Sequence, residues 1–245
     1  MINKKNKKNI YFEYDDVTET SIGIKYEKYL YQCQSKYQNI EVIKTNKYGN
    51  VLYLDGCFML SEKNQDFYHN ECVNLIPKKA RSILIIGGGD FGIANILARR
   101  SAISNITIVE LDEKVVKTSK KYFPKNFKLT KTQSSKIKLV INDGMIFLKE
   151  NNVNHDCIII DSTDPVGDAK VLFSKRFIKL CFLSLKKNGI LIQQSGSPIK
   201  DMASIIKPLI RKYKSTLLKD IILSSFPMPL YPSGTWSFLS AKRKV

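Results

Sequence analysis

The sequence predicts an α/β fold, a doubly wound and mostly parallel sheet preceded by a small N-terminal β domain. Three observations carry this. Beyond Pro77, short apolar runs alternate with helical patterns. The first of those runs closes on Gly87-Gly88-Gly89-Asp90-Phe91-Gly92, which opens a helical pattern. Before Pro77 the chain is rich in Tyr, Ile and Val, in alternating patterns broken by turn residues. Alternation of strands with helices implies crossover units on a parallel sheet, with helices on both faces.

In the first region, Ile40–Ile43 and Val51–Leu54 read as strands and Lys47–Asn50 as the turn between them. The boundary falls at 76/77, giving a β domain over 1–76 and an α/β domain over 77–245. In the second, Ser82–Ile86 is a strand, and Ile93, Ile96 and Leu97 mark the helix after the glycines. Strand Ile106–Val109, helix Val115–Tyr122, strand Ile137–Val140, helix Met145–Lys149 and strand Cys157–Ile160 follow. Then come helix Lys175–Ser184, strand Ile190–Gln193 and a helix around Met202–Tyr213. The last strands, near Ile221–Ser224 and Trp236–Ser240, lie close enough for one antiparallel hairpin. A parallel sheet finishing in a hairpin is Rossmann-like, of the methyltransferase type.

Composition bounds the function. A chain of 245 residues, 43% hydrophobic, can bury a real core in one ordinary domain plus a small one. No run of about eighteen apolar residues predicts a membrane helix. Met1 to Asn9 is polar and lacks the apolar stretch of a secretory signal, so the expected location is cytoplasmic. The five cysteines, Cys33, Cys57, Cys72, Cys157 and Cys181, form no CxxC and read as reduced, buried thiols. With only His69 and His155 as histidines, no cluster has metal-ligand spacing, and no metal site is expected. The net charge of +18 raises the question of nucleic acid, but the basic residues are lysine-rich and scattered, so that partner is not expected. A basic protein repels cationic substrates at long range unless acids line its site.

Acids do sit at the strand ends. Gly87-x-Gly89-x-x-Gly92 lets the backbone turn tightly and approach a ligand. Glu110 ends the next strand, where a carboxylate can accept both ribose hydroxyls, and Asp143-Gly144 ends the third, where a carboxylate can meet an adenine amino group. Any one such acid could simply cap a helix. Several at successive strand C-termini point to a ligand, because open α/β sheets bind there. Asp90 lies inside the glycine loop, where a phosphate binder wants no negative charge, so a nucleoside with a positive group fits better than a dinucleotide. At the fourth strand end, Asp161 and Asp164 stand three residues apart beside Pro165 and can bind an ammonium group and take its proton. An Asp-Pro turn without function is the bland alternative.

Together these pieces resemble the spermidine synthase family. They are Ser35 to Ile40, Tyr48-Gly49, Leu54-Asp55-Gly56, Tyr68-His69, Ile85 to Gly92, Val109-Glu110, Asp143-Gly144, Asp161 to Gly167, Gln194 to Pro198, and Tyr231 to Gly234 with Trp236. They keep the family's order from about residue 12 to 242. The resemblance implies aminopropyl transfer from decarboxylated S-adenosylmethionine to putrescine, giving spermidine and methylthioadenosine. It implies a co-substrate rather than a tightly bound cofactor, no metal, and a homodimer. By the same resemblance Gln38, Glu110, Asp143 and Gly144 hold the adenosine, and Asp90 and His69 meet the amines. Asp161 is then the proton acceptor, with Asp164, Tyr68 and Tyr231 positioning the diamine.

The chain departs from the family at Met59 (usually Gln), at Asn64-Gln65 (an acidic pair), at Asn70 (Glu) and at Asp168 (Pro). Relatives also continue for several tens of residues past the Trp236 strand. These departures bear on amine affinity and substrate choice, and leave the glycine loop and Asp161 intact. Two other classes remain open: a methyltransferase using S-adenosylmethionine itself, and a catalytically silent binding protein.

Overall fold

The computed structural model describes residues 9–15 and 18–244; the polar segment 1–8 noted above lies outside them. Its centre is a seven-stranded sheet in the order β12-β13-β11-β10-β7-β8-β9. These strands are β7 (Ser82–Gly87), β8 (Asn105–Glu110), β9 (Ile137–Ile141), β10 (His155–Asp161), β11 (Leu185–Gln194), β12 (Lys219–Pro227) and β13 (Thr235–Lys242). All pairs from β9 across to β11 are parallel. The hairpin β12–β13 closes the sheet, with β13 antiparallel to β11. Strand order reverses between β7 and β10, where Gly87 pairs with Asp161. That switch point is where doubly wound sheets bind ligands.

The middle of the sheet is buried on both faces because Ile83–Ile86 of β7 and Cys157–Ile160 of β10 are apolar at every position. Ile83 and Ile85 join one cluster with Ile93 and Leu97 of α2 (Gly92–Ala98). Leu84 and Ile86 join another with Phe147 of α5 (Gly144–Glu150), Phe177 of α6 (Lys175–Leu183) and Tyr213 of α7 (Lys207–Ser215). α3 (Glu113–Tyr122) and the short α4 (Lys131–Ser134) lie between β8 and β9. The helix predicted around Met202–Tyr213 begins as a π-helical turn, Met202–Ile206, running into α7.

The N-terminal part holds a hairpin, β1 (Ile10–Asp15) with β2 (Thr20–Lys25), and a four-stranded antiparallel sheet. That sheet runs β3 (Lys28–Gln34), β4 (Asn39–Thr45), β5 (Gly49–Leu54), β6 (Cys57–Ser61). The predicted turn at Lys47–Asn50 sits slightly earlier, since Gly49 and Asn50 already pair in β5. Alternation gives this sheet two apolar faces. Ile40, Val42 and Leu52 pack on Val115 and Phe123 of the α3 region, while Ile43, Val51 and Tyr53 join the main cluster. Two α-helices were not predicted: the short α4, and α1 (Gln65–Asn74), which follows β6 and packs on α2. All five cysteines are free; Cys72, Cys157 and Cys181 are buried as expected, but Cys33 is half-buried and Cys57 is exposed.

Candidate active site

A cleft of about 560 Å³ runs along the C-terminal ends of β7, β8, β9 and β10, roofed by β5, β6 and α1. Every site residue predicted from the sequence, Gln38, Tyr68, His69, Asp90, Glu110, Asp143, Gly144, Asp161, Asp164 and Tyr231, lines it.

The glycine loop fixes the floor. Gly87 has φ +85°, and a Cβ there would overlap the Asp161 carbonyl oxygen. That oxygen accepts from the Gly88 N–H at 3.0 Å, so β10 and the loop are locked together. Phe91 takes a left-handed conformation (φ 65°) to start α2 and stacks on Phe127 at 4.6 Å. At Gly92 a Cβ would enter the His69 ring, so the loop glycine also makes room for α1.

At the nucleoside end, Glu110 accepts from Gly89 N–H at 3.1 Å and from Asp112 N–H at 3.0 Å, one bond per oxygen. Each oxygen keeps a lone pair for a ligand hydroxyl. Burial pushes its pKa up to about 7. Gln38 donates to Asp112 at 3.2 Å and stands beside it. Asp143 caps α5, its Oδ1 accepting from Ile146 N–H at 2.9 Å. The capping role weighed from sequence is thus real, and it coexists with a place in the cleft. A Cβ on Gly144 would lie 2.6 Å from Ile86. Asp168, exposed, faces this same end beside Asp143 and Tyr37.

The centre is a chain of polar contacts. His69 Nε2 lies 3.0 Å from Asp90 Oδ2, and Asp90 Oδ1 accepts from Gly92 N–H at 2.8 Å. Burial opposes the Asp90 charge, but His69 outweighs it and holds the pKa below the usual range. Asp90 is therefore an acceptor, and His69 donates. Burial also works against a charged His69, yet Asp90 raises its pKa on balance. Tyr68 donates its hydroxyl to Asp161 Oδ1 at 2.7 Å and packs on Phe238. Burial, then the Asp90 charge, push Asp161 up to about 6. That makes it a stronger base than a solvated carboxylate while leaving it ionised above neutral pH.

At the far end, Asp164 Oδ1 lies 3.4 Å from Gln194 Nε2, and Trp236 Nε1 donates to Gln194 at 3.2 Å. Tyr231 donates to the Met59 carbonyl at 3.3 Å. Burial raises Asp164 to about 6. Among the lining residues that were not predicted, three carry charge at this end: Glu13, Asp15 and Lys200. Glu13 accepts from Phe58 N–H at 3.0 Å, and burial pushes it up to about 7. Nothing in a chain with 40 Lys and Arg singles out Lys200, and the β1 acids fall outside the motif pieces. Among the departures, Asn64 and Gln65 line the cleft, and Gln65 is tied to Asn126 at 2.8 Å. Asn70 is exposed on α1 and does not line it.

A ligand-free site of this kind costs stability. Glu13, Glu110 and His69 all have folded pKa values above their unfolded ones, so the folded chain holds protons the unfolded chain releases. Their contribution is present at low pH and is lost as pH rises through about 7. His155, lowered to about 4, acts oppositely only below its unfolded value of 6.5. Between about pH 6.5 and 8 the ligand-free protein should therefore lose about 1–2 kcal/mol, a few degrees in Tm. A thermal melt series reads this, and a flat or rising Tm would contradict it.

Two family models match the chain: the spermine/spermidine synthase domain over residues 50–245 and the spermidine synthase tetramerisation domain over residues 10–62. A polyamine aminopropyltransferase of Methanocaldococcus jannaschii is 37% identical over 240 residues, covering 96% of this chain and 80% of the relative. One of Clostridium botulinum is 36% identical over 226 residues, covering 91% and 78%. A spermidine synthase solved with the transition-state analogue AdoDATO superposes with TM-score 0.88 at 28% identity, covering 97% of this chain and 81% of that one. The spermidine synthase of Thermotoga maritima superposes with TM-score 0.85 at 26% identity, covering 97% and 80%. A glycine loop, a strand-end carboxylate row and these matches converge: the chain belongs to the spermine/spermidine synthase family and is a transferase of the polyamine aminopropyltransferase class.

Proposed function

We propose that this chain moves the aminopropyl group of decarboxylated S-adenosylmethionine to putrescine, releasing spermidine and methylthioadenosine. The observation that carries the reading is Asp161, a carboxylate raised to about 6, held by Tyr68 at the switch point between the glycine loop and Asp164. Putrescine arrives protonated, and its amine attacks only when neutral. Asp161 takes the proton. The amine nitrogen then bonds to the carbon beside the sulfonium, the C–S bond breaks, and its electron pair leaves with sulfur as the neutral thioether. The cleft holds both partners in line for that displacement.

In this reading Glu110 takes the ribose hydroxyls, Gln38, Asp143 and Gly144 the rest of the adenosine, and Asp90 with His69 the aminopropyl amine. Asp164, Tyr68 and Tyr231 position the diamine, and aromatic rings shield the cleft. The co-substrate is not a resident cofactor. The likeness to the AdoDATO-bound spermidine synthase supports this choice of ligand. A homo-oligomer, at least a homodimer, is proposed on the tetramerisation-domain match. The two-domain division at 76/77 is supported by the separate β sheets. Five free thiols fit a cytoplasmic location. The deciding assay offers decarboxylated S-adenosylmethionine with a panel of amines and identifies the product; methyl transfer from S-adenosylmethionine, or no transfer, would overturn the reading.

The departures give a graded test. Asn64→Asp adds a charge at the cleft and should lower KM for putrescine severalfold at low salt, less at high salt, since one partly solvated pair is worth up to about 1 kcal/mol. Asn70→Glu, outside the cleft, should leave KM unchanged. Equal effects of the two changes would show that only the overall charge of the protein matters.

A further inference from the structure

The far end of the cleft holds a cation of its own. Lys200 Nζ lies 3.2 Å from Asp15 and 3.2 Å from Asp201, and its side chain is only 10% exposed. Burial opposes that charge, but Asp201 and then Asp15 overcome it and hold the lysine protonated. The anchor is rigid. Asp201 Oδ2 accepts from Ser197 N–H at 2.8 Å, and the Asp201 N–H donates back to the Ser197 carbonyl at 2.8 Å. A Cβ on Gly196 (φ +78°) would lie 2.7 Å from the same carboxylate oxygen, so the turn is built around it.

The acids fall into two neighbourhoods. Asp161 feels Asp90 and His69. Asp164 feels Lys200, Asp201 and Asp15, and Glu13 feels Asp164, Lys200 and Asp15. Asp90, Asp161, Asp164, Glu13 and Lys200 all line the one cleft, and Lys200 acts on Asp164 and Glu13 but is not among the charges that Asp161 feels. Asp15 also lines the cleft and would offer a further charge to a longer polycation, but the Lys200 ammonium already sits on it and on the buried Asp201.

We infer that Lys200 determines acceptor length: its ammonium sits where the next ammonium of a triamine would dock, and confines the cleft to diamines. This rests on the aminopropyltransferase reading. A diamine can place its reacting nitrogen at Asp161 and its far charge at Asp164 and Glu13. A triamine must either displace Lys200 from two carboxylates or bring its extra cation against it. Both raise KM rather than slow the chemical step.

The test compares putrescine with spermidine as acceptors, both with decarboxylated S-adenosylmethionine. The wild type should favour putrescine in kcat/KM. Lys200→Met, similar in length and neutral, should shift the ratio toward spermidine by about tenfold or more, mainly through the KM of spermidine. Lys200→Arg keeps the charge and should keep the wild-type ratio. Removing Lys200 alone takes the ammonium from two buried carboxylates, so Lys200→Met combined with Asp15→Asn provides a folded comparison if the single variant melts. A ratio unmoved in a folded variant, or moved equally by Lys200→Arg, overturns the inference and leaves the aminopropyltransferase reading standing. Absence of product from any amine with the wild type overturns both.

Discussion

Asp161→Asn is expected to lower turnover by about 10²–10⁴-fold, the usual effect of losing a positioned base, while methylthioadenosine binding stays close to wild type. Asn keeps an oxygen for the Tyr68 hydroxyl, which donates to Asp161 Oδ1 at 2.7 Å, so shape and packing survive. What is lost is the lone pair that takes the ammonium proton. The wild-type rate should rise with pH through about 6 as Asp161 ionises, and the variant should lose that limb. Tyr68 is no substitute, because burial, then the Asp161 charge, push its pKa well above the ordinary value and keep it a donor. Single-turnover rates and calorimetric titration with methylthioadenosine separate chemistry from binding. A near wild-type rate would move the proton to Asp164, whose pKa is also raised to about 6.

Much of this site was legible because ligand chemistry in open α/β sheets is concentrated at strand ends. Gly87, Glu110 and Asp161 each end an apolar run that reads as a buried strand, and Asp143 follows the more exposed edge strand β9, so both fold and cleft floor could be placed together. α1 was hidden for a physical reason. Its buried residues are Gln65, His69, Cys72 and Val73, a helical spacing in which half the buried face is polar. Gln65 is buried because it accepts from Asn126, and His69 because it donates to Asp90. A pattern search that counts only apolar residues sees no stripe there. The spacing 65, 69, 72, 73 with Ile76 was the available signal. Glu13, Asp15 and Lys200 were hidden differently. They come to the cleft from β1 and from the turn before α7, and only tertiary packing brings such distant segments together. Asn70 shows the converse: its place in a motif suggested a cleft residue, but the helix turns it to solvent.

Asp90→Asn is expected to weaken decarboxylated S-adenosylmethionine by about 10–100-fold, since a hydrogen bond to a charged group contributes about 1.5–3 kcal/mol. Methylthioadenosine has no amine for Asp90 to meet and should lose little. In the wild type the same carboxylate should make S-adenosylmethionine the weakest of the three ligands. That molecule brings a carboxylate of its own toward Asp90 and Asp161, and after burial the Asp90 charge already raises the pKa of Asp161. His69 softens this repulsion without abolishing it, because it donates to Asp90 from a ring nitrogen 3.0 Å away. In the variant, Asn Oδ1 can still accept from Gly92 N–H, the contact Asp90 makes at 2.8 Å, and a neutral His69 can change tautomer to accept from the amide. The glycine loop should therefore hold its shape, and the measured change should report charge rather than collapse. Calorimetry with the three ligands on both proteins gives six constants. Equal losses for methylthioadenosine and decarboxylated S-adenosylmethionine would make Asp90 a support of the loop only. Tighter binding of S-adenosylmethionine by the wild type would favour methyl transfer over aminopropyl transfer.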